Sequence, residues 1–481
     1  MRAARNQTRN RQATAKAWPA PQAWAAPTAW AMAVLLAACA SAAASAAQVQ
    51  DGFSFAAGGD LIGPNHTLAG APDPQLKAVA GHFRAADLGF ANMEGSLFDL
   101  SDFRGWQAAE TGGGYPIAPA AVAKDLKALG ITVVSKANNH ATDWGTEGLV
   151  ATLASLRAAG VAEAGAGMTL LQARGPVYLK TRRGVAALVD AASTFTPMSV
   201  ACPPPNARYG PSARGCPGIS ALHVRPVHLL PYARFDELRG LVAGLRVTSP
   251  QQSWSGELES ALAGQGKGDL FVGDTVFRGA STPGLTWEMD PDDFHAVIDG
   301  VREARQHANF VLFSIHAHEI TPYENPSQGN DNDTARPASF EPTLFHAAID
   351  AGADAVVRNG PHVLGGIEIY KGKPIFYSLG SFFFEFGGTR SYKVPGGMLL
   401  RFSDAWFQTV VPVVTYRHGQ MSEIRLYPMI IESSHAPTDG RPRPAPPAQA
   451  RQILLRLQSL SAPYGTRIQI IKSVGIIHGP G

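Results

Sequence analysis

Short apolar runs alternate with amphipathic stretches from residue 52 to about residue 360, and the two periods predict alternating strands and helices. Segments 53–57, 88–91, 131–135, 185–189, 310–315 and 355–357 read as strands. Between them, 74–85, 120–129, 146–158, 291–307 and 342–351 carry helical spacing. Asp290 and Asp292 stand where a helix start favours acids, and Gly130, Gly160 and Gly352 follow helical runs as stops. Alternation of this kind predicts an α/β layered fold with a largely parallel sheet. Residues 191–289 break the rhythm with clustered Pro and Gly and read as a loop-rich insertion of irregular structure. After Ile367 the pattern turns to strands. Segments 367–370 and 375–378 flank Gly372 as a hairpin, and 397–402, 410–416 and 424–428 follow. A Pro-rich linker at 436–447, a helix at 448–459 and a strand near 467–471 close the pattern.

The first 47 residues stand apart. Arg2, Arg5, Arg9, Arg11 and Lys16 occur there without an acid, an apolar run covers 29–40, and small residues follow to Ala47. This order predicts a secretory signal peptide, and hence an exported protein of the periplasm or cell surface. Cleavage near Ala46 or Ala47 is one reading. Leu36-Ala37-Ala38-Cys39 also resembles a lipobox, in which Cys39 would be lipidated and anchor the mature chain. The segment changes the reading of charge. The whole chain is +3, but removing its five cations leaves 36 of 41 basic residues against 38 acidic ones, a net near −2. With no basic and aromatic interleaving, nucleic acid is not an expected partner. The other cysteines, Cys202 and Cys216, are expected to pair as a disulfide closing a surface loop in an exported protein.

Polar clusters fall at the ends of five predicted strands: Gly59-Asp60, Asn92-Met93-Glu94-Gly95, Asn138-Asn139-His140, His316-Ala317-His318-Glu319 and Asn359-Gly360-Pro361-His362. Ligands bind α/β sheets at the carboxyl ends of strands. Each cluster alone has a plainer explanation, Asp60 as a cap or Asn138 and Asn139 as turn formers. Five at equivalent positions point instead to a shared site. Carboxylates, amide oxygens and imidazoles without a thiolate suit Zn, Mn or Fe. One or two such ions would clamp a phosphate and make water a nucleophile at neutral pH. No Gly-x-Ser-x-Gly elbow and no phosphate-binding Gly-rich Lys loop offers another mechanism.

These residues resemble the bacterial CapA family, which is linked with capsule and poly-γ-glutamate synthesis. The resemblance rests on Gly59-Asp60, Asn92-Met93-Glu94-Gly95, Asn138-Asn139-His140 with Asp143 and Gly145, Ser314-Ile315-His316 with His318-Glu319, Gly360-Pro361-His362, and Tyr370-Lys371-Gly372-Lys373-Pro374-Ile375-Phe376-Tyr377-Ser378-Leu379-Gly380. It covers about 53–385 and implies a four-layer calcineurin-like metallophosphoesterase sandwich, with two mixed sheets between helices. It also implies a domain at 52–385 carrying the insertion at 191–289, then a strand-rich extension at 386–435 and the terminal segment 436–481. Carried over by position, Asp60, Glu94, Asn139, His140, His316, His318 and His362 become candidate ligands of the ion or substrate. His140 and His316 are the candidate catalytic residues, with Asn92, Asp143, Glu319 and Asn359 in support. The implied activity is a metal-dependent hydrolase acting on a phosphoester or anionic polymer, with membrane-bound capsule synthesis and export proteins as partners. The alternative is a non-catalytic accessory protein that binds the polymer. Two departures bear on that choice: Asn359 stands where the family commonly has His, and Ser381 where it commonly has Asn. They leave a one-ion or degraded site open.

Overall fold

Strand Phe53–Ile62 is buried along almost all its length because it lies inside a sheet covered on both faces. A computed structural model describes residues 48–63, 73–108, 115–202, 215–245, 268–273, 275–320, 337–385, 391–393, 399–431 and 440–479. The expected signal segment 1–47, with Cys39, lies outside the described residues. The chain forms a mixed α/β fold in which two large sheets replace the single parallel sheet that the alternation predicts. In the ten-stranded sheet, Phe53–Ile62, Leu88–Asn92, Val133–Ser135 and Ala162–Ala164 run parallel. Gln408–Arg417 then pairs antiparallel with Phe53–Ile62, and Gln420–Ile431, Val474–His478 and Gln469–Ile471 continue that side. The segments beyond 385 therefore supply strands to the same sheet. In the six-stranded sheet, Gly184–Ala192, Phe310–His316, Ala355–Asn359 and Lys373–Phe376 are parallel, with antiparallel Val177–Thr181 and Ile367–Tyr370 at the edges.

Apolar burial explains both sheets. Phe53, Phe55, Leu88, Phe90 and Val133 of the first pack on Leu188, Phe310, Leu312, Val357 and Phe376 of the second, and the Phe53 and Phe310 rings are 4.9 Å apart. The opposite face of the first sheet carries Ala91, Met93 and Val134, covered by Leu76, Val79 and Phe83 of helix Pro74–Ala85 and by Val122 and Leu126 of Val122–Leu129. The opposite face of the second carries Val189, Phe313 and Val356, covered by Val297 and Val301 of helix Pro291–His307 and by Leu344 and Phe345 of Phe340–Ala351. Strands buried on both faces read as unbroken apolar runs, which also mimics a wholly parallel sheet. Helix ends follow the sequence signals. Asp73 accepts from the Gln75 and Leu76 amides, Asp290 accepts from Asp292 and Asp293, and Gly130 and Gly160 adopt left-handed C-caps.

The 191–289 segment is more regular than its composition predicts. It holds a four-stranded sheet of Val224–Pro231, Asp269–Val272, Thr275–Ala280 and Gly284–Met289, with helix Tyr232–Leu245. Those strands are half-buried and joined by cross-strand charges, so no apolar run marks them. Arg278 contacts Asp269 at 2.6 Å and Glu288 at 2.7 Å, and Arg225 contacts Glu288 at 2.8 Å. Cys202 and Cys216 form a disulfide. The expected hairpin is present, with Lys371 and Gly372 both at positive φ in the two-residue turn. No helix among the described residues is long and apolar enough to cross a membrane.

Candidate metal centre

Strand register brings the polar clusters together. Asp60 is paired with Asn92 on one side and with Ser381 on the other, and Asn92 is paired with Ser135. In the second sheet His316 is paired with Asn359. The close approach of the first strand to Ser381–Phe384 requires glycine, because a Cβ on Gly59 would lie 1.7 Å from the Gly380 carbonyl oxygen. His362 follows Gly360 and holds a left-handed backbone at φ 58, a conformation that costs energy for a residue with a Cβ and recurs at functional sites.

Glu94 is the centre of the arrangement. Its side chain is fully buried, and its Oε1 has no hydrogen-bond partner. Three imidazole Nε2 atoms surround that oxygen, His362 at 3.7 Å, His316 at 3.8 Å and His140 at 3.9 Å. His316 Nε2 in turn lies 3.1 Å from His318 Nε2. Asp60 lies beside them with Oδ2 3.1 Å from His362 Nδ1, and it accepts from Asn92 Nδ2 at 2.8 Å. Asn92 is fixed as a donor toward Asp60 because its Oδ1 accepts from Ser135 Oγ at 3.0 Å and Asn138 Nδ2 at 3.3 Å. The same Nδ2 donates to His316 Nδ1 at 3.2 Å. Asp143 holds His140 through a 2.6 Å contact to Nδ1.

Two sets of donors lie close enough to share an ion: Glu94 with His316 and His318, and Asp60 with Glu94 and His362. Ligands about 2.0–2.2 Å from an ion stand roughly 3–4 Å from each other, the spacing found around Glu94 Oε1. The electrostatics tell the same story. Burial pushes the Glu94 carboxyl well up, and the neighbouring Asp60 charge adds to it. Burial pushes His316 well below the usual imidazole range, reinforced by His318, His362 and His140. For Asp60 burial acts upward, but the hydrogen bond and charge of His362, with Asn92 and His318, together outweigh it and the group lies below its ordinary value. A buried carboxylate oxygen without a donor, ringed by three imidazole nitrogens, fits a divalent cation.

The remaining expected residues are placed differently. Asn139 Oδ1 is buried without a partner, and among the described contacts none ties it to the cluster, whereas Asn138 is bonded into it. Glu319 reaches away from the imidazoles, accepting from Ser193 Oγ at 2.7 Å and Thr194 Oγ1 at 3.0 Å. Thr194 then accepts from the His318 amide at 2.8 Å, so Glu319 braces His318 from behind. Asn359 donates to Ser314 Oγ, and Ser381 Oγ lies 3.4 Å from His362 Nδ1. Sequence reasoning missed Lys136 and Asp190. Both are buried at the same end of the sheets, and Asp190 Oδ2 accepts from the Lys136 and Ala137 amides. The available signal was a single charge, inside an apolar run for Asp190 and at the end of one for Lys136.

Comparison with known proteins identifies the family. The family model described as Bacterial capsule synthesis protein PGA_cap matches residues 46–385. The uncharacterised protein y4sH of Sinorhizobium fredii is 35% identical over 463 residues, covering 90% of this chain and 94% of its own length. The PGA biosynthesis protein CapA of Bacillus subtilis is 40% identical over 111 residues, 23% of this chain and 25% of that protein. The capsule biosynthesis protein CapA of Bacillus anthracis is 24% identical over 319 residues, 66% of this chain and 56% of that protein.

Proposed function

The chain belongs to the bacterial capsule synthesis protein family, and from that premise we propose that it is an exported, metal-dependent hydrolase acting on an anionic capsule or poly-γ-glutamate-type polymer or on a phosphoester. The proposal includes a four-layer calcineurin-like sandwich, supported by the helix-covered outer faces of the two packed sheets. One observation carries the catalytic part: Glu94 Oε1 is buried without a donor while three imidazole nitrogens stand 3.7–3.9 Å from it. Asp60, Glu94, His316, His318 and His362 would hold one or two ions of Zn, Mn or Fe. When bound, the ion would supply Lewis-acid polarisation and acidify a water for attack. His140, half-oriented by Asp143 and still partly open to solvent, is suited to hold or move a proton at Nε2. His316 is the second candidate for proton handling, its Nδ1 taken by Asn92.

Export rests on the basic-apolar-small order of residues 1–47, and the disulfide is compatible with it. Cleavage near Ala46 or Ala47, or lipidation at Cys39, would leave the chain in the periplasm or on the cell surface, beside membrane-bound capsule synthesis and export proteins. The test is metal analysis of the purified chain together with hydrolysis of a generic phosphodiester and of poly-γ-glutamate. Activity that disappears in His140→Ala and His316→Ala supports the reading. Absence of metal, or unchanged turnover in both variants, refutes it. A second reading, a polymer-binding accessory protein without turnover, is favoured by one feature: Asn359 stands beside His316 with an amide whose nitrogen donates to Ser314, and brings no imidazole to the site. Saturable polymer binding without metal-dependent turnover would select it.

A further inference from the structure

Lys136 is the most buried ammonium-bearing side chain near the site, fully enclosed at the end of strand Val133–Ser135. An ammonium taken out of water must be repaid by strong partners. Its Nζ donates to two backbone carbonyls, Gly95 O at 2.9 Å and Met93 O at 3.2 Å. Those carbonyls belong to the residues immediately before and after Glu94. The charged groups facing the ammonium are Asp143, Glu94 and Asp190. Its own backbone is anchored twice. The Lys136 amide donates to Ala164 O at 2.9 Å within its sheet and to Asp190 Oδ2 at 3.1 Å, which belongs to strand Gly184–Ala192 of the other sheet.

We propose that Lys136 is a positioning residue for the ion site: its ammonium clamps the Met93 and Gly95 carbonyls and so fixes Glu94 relative to imidazoles that come from other strands and loops. This deepens, and rests on, the ion-binding reading above. The clamp is needed because Glu94 sits past the end of strand Leu88–Asn92, where the ladder no longer dictates its direction. Glu94 Oε1 has no hydrogen bond of its own to hold it. His316 belongs to the second sheet and His362 to a loop after Ala355–Asn359, so these two and Glu94 converge only if the 93–95 backbone is held against both sheets. Through Asp190 and Lys136 it is. The positive charge alone would act in the opposite direction, since an ammonium close by repels a metal cation. Geometry and charge therefore make opposite predictions for its removal.

The experiment measures Mn²⁺ and Zn²⁺ affinity by chelator competition in the full chain, for wild type, Lys136→Met and Lys136→Gln. Folding of each is checked by circular dichroism and thermal melting in EDTA. Lys136→Met keeps the length of the chain without a donor, and Lys136→Gln keeps one polar donor and serves if Lys136→Met does not fold. A double variant lacking Cys202 and Cys216 is a control for lost stability without change at the cluster. Loss of an outer partner of a metal ligand weakens metal binding roughly 10–100-fold. The expected result is a loss in that range for the Lys136 variants and none for the cysteine control. Unchanged or tighter binding in folded Lys136 variants overturns the clamp while leaving the ion site standing. A wild-type protein that binds neither ion overturns both.

Discussion

Replacing Glu341 by Gln should remove one large contribution to the loss of stability that burial of carboxyl groups imposes on this fold as pH rises from 5 to 8. Glu341 opens helix Phe340–Ala351 and is fully buried, with Oε1 3.0 Å from Arg358 Nη2. Neither carboxylate oxygen has a well-formed hydrogen bond, and Arg358 directs the same Nη2 at the Glu319 carbonyl. Burial pushes the Glu341 acid up to about 8 against the partial compensation of Arg358, and Glu319 adds to the rise. The sign follows from proton counting. The folded chain keeps this proton up to about pH 8, while the unfolded chain releases it near its ordinary value of about 4.3. Between those values the folded state binds more protons, so stability is greatest at low pH and falls as pH rises through the window. At 1.36 kcal/mol per pKa unit, the loss between pH 5 and 8 is roughly 3–4 kcal/mol from this one group. Gln has nearly the shape of the protonated acid and does not titrate. Urea unfolding midpoints at pH 5, 6, 7 and 8 measure the effect, and the difference between wild type and Glu341→Gln isolates it from other titrating groups. If the two proteins lose stability in parallel across that range, Glu341 is ionised in the folded state and the Arg358 pair outweighs its burial.

Glu94→Gln should weaken Mn²⁺ and Zn²⁺ binding at least tenfold in a competition titration, yet melt no lower than wild type in EDTA, because it relieves a buried carboxylate whose oxygen lacks a donor. Gly59→Ala should prevent stable folding or cost several kcal/mol, since its Cβ would lie 1.7 Å from the Gly380 oxygen; a melting curve close to wild type would show that the two strands can part. Reducing or removing the Cys202–Cys216 disulfide, with its sequence separation of 14, should cost about 3 kcal/mol in the chain-entropy account and leave metal affinity unchanged, read by urea unfolding with and without reductant.

The site was more legible than the fold around it. Asp60, Glu94, His140, His316 and His362 each follow an apolar strand, and strand ends are where such side chains can meet. What the pattern could not convey was which sheet each strand joins. Leu88–Asn92 and Ala355–Asn359 look alike in sequence because both are buried on both faces, yet they lie in different sheets. The small sheet within 191–289 escaped because its strands balance charges such as Arg278 and Asp269 across the ladder instead of alternating apolar and polar residues. Lys136 and Asp190 escaped for the opposite reason. Isolated charges inside or at the end of apolar runs look like interruptions of a strand until their partners from distant segments are known. Asn138 and Asn139 were not told apart by sequence: Asn138 is bonded to Asn92 and Met93, whereas Asn139 Oδ1 is left without a donor, as Glu94 Oε1 is.

The placement of strand Phe53–Ile62 also governs when the molecule can finish folding. It is among the first strands to be synthesised, and one long edge is closed by Gln408–Arg417, which is made near the end. The end bearing Asp60 is closed by Ser381–Phe384, another late segment. Until those segments emerge, one edge of the strand presents unpaired backbone groups. Contacts so distant along the chain close slowly. A nascent chain therefore lacks the antiparallel half of this sheet, and the complete setting of Asp60, for most of its synthesis. The side chains that gather around Glu94 therefore reach their final setting only after the segments beyond residue 380 have been made.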